Sequence, residues 1–267
     1  MRRERHLAIL AAVSRIIAVA NQRTGVGKTS TVINLGAALA EAGHPVILID
    51  LDPQSALTSA SGLDPYHLTL TTYDLLTRAE TDLQGIIRPL VDGTWLAPAS
   101  VDLTAAEYML TRSDDHAQRL RRALRGGANH AQFVLIDTPP RLGSLTLGAL
   151  AAADELLIPV ECQQHALQGI QALLKTVDAV RAQSHPGLKL LGVVLTLYQP
   201  DSARCQKVVQ EFRSGFKDRV FETMIEDDEA VAMAPAARKP VLSFRPSSPA
   251  AMAYRRLAAE ICATAPG

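Results

Sequence analysis

An apolar run, Arg15-Ile16-Ile17-Ala18-Val19-Ala20, stops at Asn21 and gives way to Gln22-Arg23-Thr24-Gly25-Val26-Gly27-Lys28-Thr29-Ser30. An unbroken apolar stretch with β-branched residues fits a strand buried on both faces. Beyond the loop, Val32, Leu35, Gly36 and Leu39 recur at helical spacing until Gly43 ends the run. Strand, glycine-bearing loop, Lys-Thr and helix together form a cradle for phosphate. Loop N–H groups and the positive end of the helix face an anion, Lys28 reaches the outer phosphates, and the Thr29 hydroxyl is suited to Mg²⁺. The spacing departs from the usual pattern at Gln22, five residues before Gly27, where a glycine is expected. A Gly-Lys-Thr tripeptide by itself occurs in ordinary turns; its flanking strand and helix are what make it a nucleotide site.

A second buried strand, Val46-Ile47-Leu48-Ile49, ends in Asp50-Leu51-Asp52-Pro53-Gln54. Carboxylates at a strand's C-terminal end beside a phosphate loop suit magnesium or an attacking water; equally, aspartates there cap helices. A third strand, Phe133-Val134-Leu135-Ile136, runs into Asp137-Thr138-Pro139-Pro140. Its aspartate stands where a magnesium-supporting carboxylate is expected. The motif is weak alone and strong as third in this order.

Residues 55–92 read as helices and loops, 94–99 as a short strand entering a loop, and 102–125 as helical up to Gly126-Gly127. Leu156 to Val160 and Leu190 to Leu197 read as strands, 166–182 and 203–213 as helices, and Val220 to Ile225 as a late strand. The alternation predicts an α/β fold, a doubly wound, mostly parallel sheet with helices on both faces and its ligand at the strands' C-terminal ends. Ser248-Pro249 reads as an N-cap and first helical residue, opening a terminal helix over 249–262 in which Tyr254, Leu257, Ala258 and Ile261 pack inward. No repeat or linker interrupts the chain. It divides into an N-terminal extension, residues 1–14, and one domain, 15–267; the extension reads as a small accessory helix or as an upstream start that adds little.

Lysine and arginine total 27 against 27 aspartates and glutamates, so any nucleic-acid contact must come from a local patch. Cys162, Cys205 and Cys262 are far apart and odd in number, without metal or redox spacing, and read as reduced thiols of a cytosolic protein. No stretch reaches the ~20 apolar residues that span a bilayer. The seven histidines form no ligand cluster, and Trp95 reads as a core or edge-strand residue.

Arg23 to Thr29, Asp50 to Gln54 and Ile136 to Pro140 resemble the deviant Walker A, Walker A′ and Walker B motifs of the ParA/Soj partition ATPases. Leu145 to Asp154, Ile158-Pro159-Val160 and Ala253-Tyr254-Arg255-Arg256-Leu257 are similar to further stretches of that family, and the likeness covers about residues 15 to 262. The resemblance implies a slow ATPase whose ATP- and Mg²⁺-bound homodimer binds DNA non-specifically, without a membrane. A ParB-like centromere-binding partner would stimulate hydrolysis and so move cargo over the nucleoid. Carried over, Arg23, Thr24, Gly25, Val26, Gly27, Lys28, Thr29 and Ser30 contact the nucleotide and Thr29 ligates magnesium. Asp52 orients the attacking water near the metal, and Asp137 supports the metal from behind.

The chain departs from the family pattern in two places. Arg23 stands where relatives carry a lysine that reaches the partner subunit's nucleotide. It keeps the charge with a bulkier, forked head, or is merely solvated. Thr24 replaces a glycine and would be strained if that position required a positive φ. The second departure is Glu226-Asp227-Asp228-Glu229, which replaces a Pro-Arg-Asn segment. It is a solvated loop, a cause of weakened or displaced DNA contact, or a dock for a basic partner. Arg238, Lys239, Arg245, Arg255 and Arg256 are the replacement candidates for DNA contact, against plain solvation. A positioning ATPase for a non-DNA cargo is the alternative. A MinD-like membrane regulator lacks its amphipathic tail, and a metabolic P-loop enzyme lacks a substrate motif or cluster cysteines.

Overall fold

The two layers that cover the sheet explain why the inner strands are apolar between their charged or polar ends. The computed structural model describes residues 14–111, 116–128 and 130–264. The expected N-terminal extension lies outside the described residues, Ser14 excepted. Strands β1 (Arg15–Val19), β2 (Val46–Asp50), β3 (Arg88–Pro89), β4 (Trp95–Ala97), β5 (Phe133–Asp137), β6 (Glu155–Glu161) and β7 (Lys189–Thr196) form one sheet in the order β3-β4-β2-β5-β1-β6-β7. All pairings are parallel except β3 with β4. The α/β expectation holds, with β1 and β5 adjacent inside the sheet and their connections leaving in opposite directions, to β2 and to β6, which opens a crevice at their C-terminal ends.

Successive side chains of each strand enter opposite layers. Ile17 and Val19 of β1, Leu48 of β2 and Leu135 of β5 meet α1 (Lys28–Glu41) and α12 (Pro249–Ala263). Ile16, Ala18, Ile49 and Ile136 meet the other face. There pack α3 (Thr72–Thr77), α4 (Leu83–Ile86), α5 (Leu103–Leu110), α6 (His116–Gly127), α7 (Ser144–Ala152), α8 (Ala166–Gln183) and α9 (Ala203–Phe216), while the short α2 (Ala56–Ala60) and α11 (Val241–Phe244) join α1 and α12 on the first face. The terminal helix is as expected: Ser248 accepts from Ala251 N at 3.2 Å, Pro249 opens the first turn, and Tyr254, Leu257, Ala258 and Ile261 are buried. Among the described residues no helix is long and apolar enough to cross a membrane.

Three expectations need correction. Residues 102–125 are not one helix: α5 ends at Leu110, α6 begins at His116, and 112–115 lie outside the described residues. Trp95 is not in the core; 43% of it is exposed on β4, one strand in from the edge. Val220 to Ile225 is no regular strand. It touches the sheet through isolated bridges and through Phe221 N and Ile225 N, which donate to Val193 O and Leu195 O. Between them, the carboxylate of Glu260 on α12 takes the amides of Glu222 and Thr223, both at 2.9 Å, and that interrupts the ladder.

Strand β1 is tied at its start by a buried ion pair. Arg15 Nε and Nη2 donate to the two carboxylate oxygens of Glu155 at 2.8 and 3.0 Å, and Nη1 donates to Ile261 O at 2.8 Å. This one guanidinium joins β1, β6 and the end of α12. Removing one partner of such a pair strands a buried charge. Glu155→Ala is therefore expected to lower stability in urea unfolding by about 3–5 kcal/mol, and a loss under about 1 kcal/mol would show that Arg15 finds other partners.

Candidate phosphate and magnesium site

The loop between β1 and α1 needs two left-handed residues, and glycine occupies both: Gly25 at φ 77° and Gly27 at φ 84°. Thr24 is not among the positive-φ residues, so the expected strain there does not arise. Neighbouring strand ends brace the loop. Asn21 Nδ2 donates to Pro159 O at 2.8 Å while its Oδ1 accepts from Arg23 N at 3.0 Å. Thr196, ending β7, donates its hydroxyl to Val26 O at 2.9 Å, and Thr138 donates to Val19 O at 2.9 Å. Sequence reasoning missed Asn21, Thr138 and Thr196; a polar residue closing an apolar run was the only signal for them.

At the first turn of α1, Lys28 is buried and its Nζ donates to Arg23 O at 2.9 Å. Burial lowers its pKa, against the attraction of Asp137 and Asp52. Thr29 donates its hydroxyl to Asp137 Oδ2 at 2.7 Å. The other Asp137 oxygen is buried and has no hydrogen-bond partner among the described residues. Burial first, then the charge of Asp50, raises Asp137 well above the usual carboxylate range. A hydroxyl beside an unsatisfied carboxylate oxygen fits a cation held partly through water, the habit of Mg²⁺. Among the described residues no group of three or more His, Cys, Asp or Glu could hold a metal ion by itself.

For the first aspartate of the 50–52 pair, the capping reading holds. Asp50 is fully buried and accepts from Thr58 Oγ1 at 2.6 Å, Thr58 N at 2.9 Å and Asp52 N at 3.0 Å. Burial still pushes its pKa up to about 6, against those bonds. Asp52 keeps an oxygen for Gln54 N at 2.9 Å and faces the Lys28 side of the crevice. Lys28, Thr29, Asp52 and Asp137 thus converge. Arg23 is exposed at the rim, its side chain 3.3 Å from where a Cβ on Gly169 of α8 would stand.

The five basic candidates separate. Arg255 is engaged by Glu41 at 3.0 Å and by Pro246 O at 2.6 Å. Arg245 lies over the Phe244 ring at 5.9 Å, and Arg238 holds a left-handed backbone at φ 55° against Gly62. Lys239 and Arg256 are exposed. In the acidic run, Asp228 is structural: its carboxylate caps α10 (Glu229–Met233) through Ala230 N at 2.9 Å and receives Ala250 N of α12 at 3.1 Å. A cleft of about 740 Å³ lined by Leu191, Arg213 and Lys217 opens near the start of β7, at the opposite end of the strands from the loop.

The AAA domain family matches residues 14–190. The chain is 42% identical over 255 residues to the chromosome-partitioning ATPase Soj of Thermus thermophilus, covering 96% of this chain and 98% of the relative. It is 38% identical over 252 residues to the chromosome partitioning protein ParA of Myxococcus xanthus, covering 94% and 89%. Among solved structures it is similar to the cobyrinic acid a,c-diamide synthase of Mycobacterium smegmatis with bound ATP analogue and magnesium, at TM-score 0.82 and 34% identity over 94% of this chain and 95% of that one.

Asp228 generates a test. Burial works against its ionisation, but hydrogen bonds from Ala230, Ala250 and Ser248 and the charge of Arg245 hold its pKa below the usual range. A carboxylate whose folded pKa is depressed stabilises the fold above its unfolded pKa, and that stability is lost as pH falls through the folded value. Asp228→Ala is expected to cost about 1–2 kcal/mol at neutral pH. The difference from wild type should shrink below about pH 4; a gap that stays constant with pH would assign the effect to packing.

Proposed function

The chain belongs to the ParA/Soj family of partition ATPases, and we propose that it works as a nucleotide-controlled dimer switch, 15–267 acting as one ATPase unit. The observation that carries this is the convergence of Lys28, Thr29, Asp52 and the half-satisfied Asp137 on the loop after β1. ATP with Mg²⁺ is the ligand, as the ATP analogue and magnesium are in the M. smegmatis protein. Loop amides and the α1 N-terminus hold the phosphates. Lys28 exchanges its bond to Arg23 O for the outer phosphates, a short move for an ammonium already in the crevice. Thr29 and Asp137 hold the magnesium position, and the ion supplies charge neutralisation at the phosphates. Asp52 orients the attacking water, so its role is placement, worth far more in rate than in binding.

Arg23, exposed at the rim, reaches the nucleotide of a second copy and makes dimerisation depend on ATP. The dimer binds DNA without sequence preference through Lys239, Arg256, Arg238 and Arg245; Arg255 contributes little because Glu41 already matches its charge. A ParB-like partner stimulates hydrolysis and releases the dimer from the nucleoid. The neutralised Arg255 and the acidic run favour a second reading, positioning of a non-DNA cargo with weakened DNA contact.

In size-exclusion chromatography with Mg·ATP, Asp52→Ala is expected to elute as a dimer while hydrolysing on the order of 100-fold more slowly. Lys28→Ala should stay monomeric, and Arg23→Ala should dimerise poorly; wild-type dimerisation by Arg23→Ala would remove that residue from the switch. A low-salt mobility shift should show an ATP-dependent complex with arbitrary duplex DNA that dissolves as salt rises. No complex would leave the positioning reading in its place.

A further inference from the structure

The order of the strands brings together two cysteines that the sequence separates by 43 residues. Cys162 is the first residue after β6, and Cys205 is the third residue of α9, which follows β7. Because β6 and β7 are parallel partners, their C-terminal ends lie side by side. Cys162 Sγ donates to Cys205 O at 3.4 Å, and Cys205 Sγ donates to Cys162 O at 3.2 Å. Each sulfur therefore lies against the other residue's backbone, which sets the two thiols side by side. Both residues are buried, and they belong to the apolar layer that holds Ala166 and Val208. Cys262 is exposed and stands apart, near His44.

We propose that Cys162 and Cys205 are a site of reversible disulfide formation whose oxidation state is transmitted to the phosphate loop. The oxidant is a hydroperoxide. One thiolate attacks the peroxide oxygen, the O–O bond breaks, and a sulfenic acid and one water (or alcohol) result. The second thiol then attacks the sulfenic sulfur, the S–S bond forms, and the hydroxyl leaves as water with the thiol's proton. Two thiols lose two electrons and one peroxide gains them. The product is uncharged and needs no hydrogen bond, which suits an apolar layer better than a thiolate. Burial, then Cys205 beside it, pushes the Cys162 thiol up to about 12. Oxidation is accordingly gated by opening of the first turn of α9, whose cap is long, with Ser202 Oγ accepting from Cys205 N at 3.4 Å.

Transmission runs through one residue. Cys162 N donates to Thr196 O at 2.9 Å, and Thr196 turns its hydroxyl onto Val26 O in the loop. Its methyl carbon lies 3.8 Å from where a Cβ on Gly27 would stand. Drawing Cys162 toward Cys205 moves the end of β7 and loosens the brace on Val26. This coupling rests on the reading of the loop as an ATP site; the disulfide does not.

The test uses the full chain carrying Cys262→Ala, which removes the exposed thiol. Treatment with hydrogen peroxide should lower the intact mass by about 2 Da, remove both remaining titratable thiols, and yield a cross-linked peptide pair containing Cys162 and Cys205. Dithiothreitol should reverse all three. Adding Cys205→Ser should abolish the cross-link. Two thiols that survive peroxide, or a gain of about 32 Da without a cross-link, would overturn the disulfide. Equilibrium dialysis with Mg·ATP should then show binding weakened about three- to tenfold on oxidation and restored by reduction. Equal affinities would overturn the transmission. Absence of binding by the reduced protein would contradict the ATP reading, while the mass result decides the disulfide independently.

Discussion

Asp50 and Asp137 are register partners at the ends of β2 and β5, and both are fully buried. Two ionised carboxylates about 5–6 Å apart repel by about 3 kcal/mol even at an effective dielectric near 20. Asp52 stands beside them, and of the three it is Asp137 and Asp52 that face the buried ammonium of Lys28. The fold relieves half of this internally. Asp50 is surrounded by three donors, and Asp137 receives only the Thr29 hydroxyl and keeps one oxygen unsatisfied. What remains is a buried carboxyl group, Asp137, whose ionisation is held back, beside a loop built to receive phosphate. Phosphate alone would worsen it; phosphate carrying a divalent cation relieves it. The preference for a metal–nucleotide complex thus follows from where two strands happen to end.

The loop itself is held by its surroundings more than by its own residues. Asn21 ties the loop to Pro159 O within β6, Thr138 after β5 bonds Val19 O at the end of β1, and Thr196 at the end of β7 bonds Val26 O in the loop, so that β5, β6 and β7 all fix the position of the stretch between β1 and α1. Such outer contacts keep the binding atoms aligned before ligand arrives, which lowers the cost of binding. They also make the loop sensitive to anything that moves those strand ends.

Much of the fold was legible because strands buried on both faces must be apolar throughout. Residues 16–19, 46–49 and 133–136 announce themselves in this way. The loop was legible because its chemistry demands glycine, lysine and threonine at fixed offsets. What could not be read depends on partners distant in sequence. The segment 220–225 has strand composition, yet Glu260, on a helix more than thirty residues later, takes two of its amides. The acidic run looks uniformly solvated in one dimension, whereas Asp228 joins two helix starts. Arg255 looks like a free surface cation until α1 places Glu41 beside it. Cysteine spacing along the chain says nothing of thiols juxtaposed by strand order.

The central claim, that the turn ending in Gly27-Lys28-Thr29 binds a triphosphate together with magnesium, is tested most directly by isothermal titration calorimetry of the full chain with ATP, in Mg²⁺ and in chelator. The account predicts saturable heat with one site per chain in Mg²⁺ and clearly weaker binding once the metal is removed. Absence of heat with Mg·ATP, or an affinity indifferent to the chelator, would contradict it.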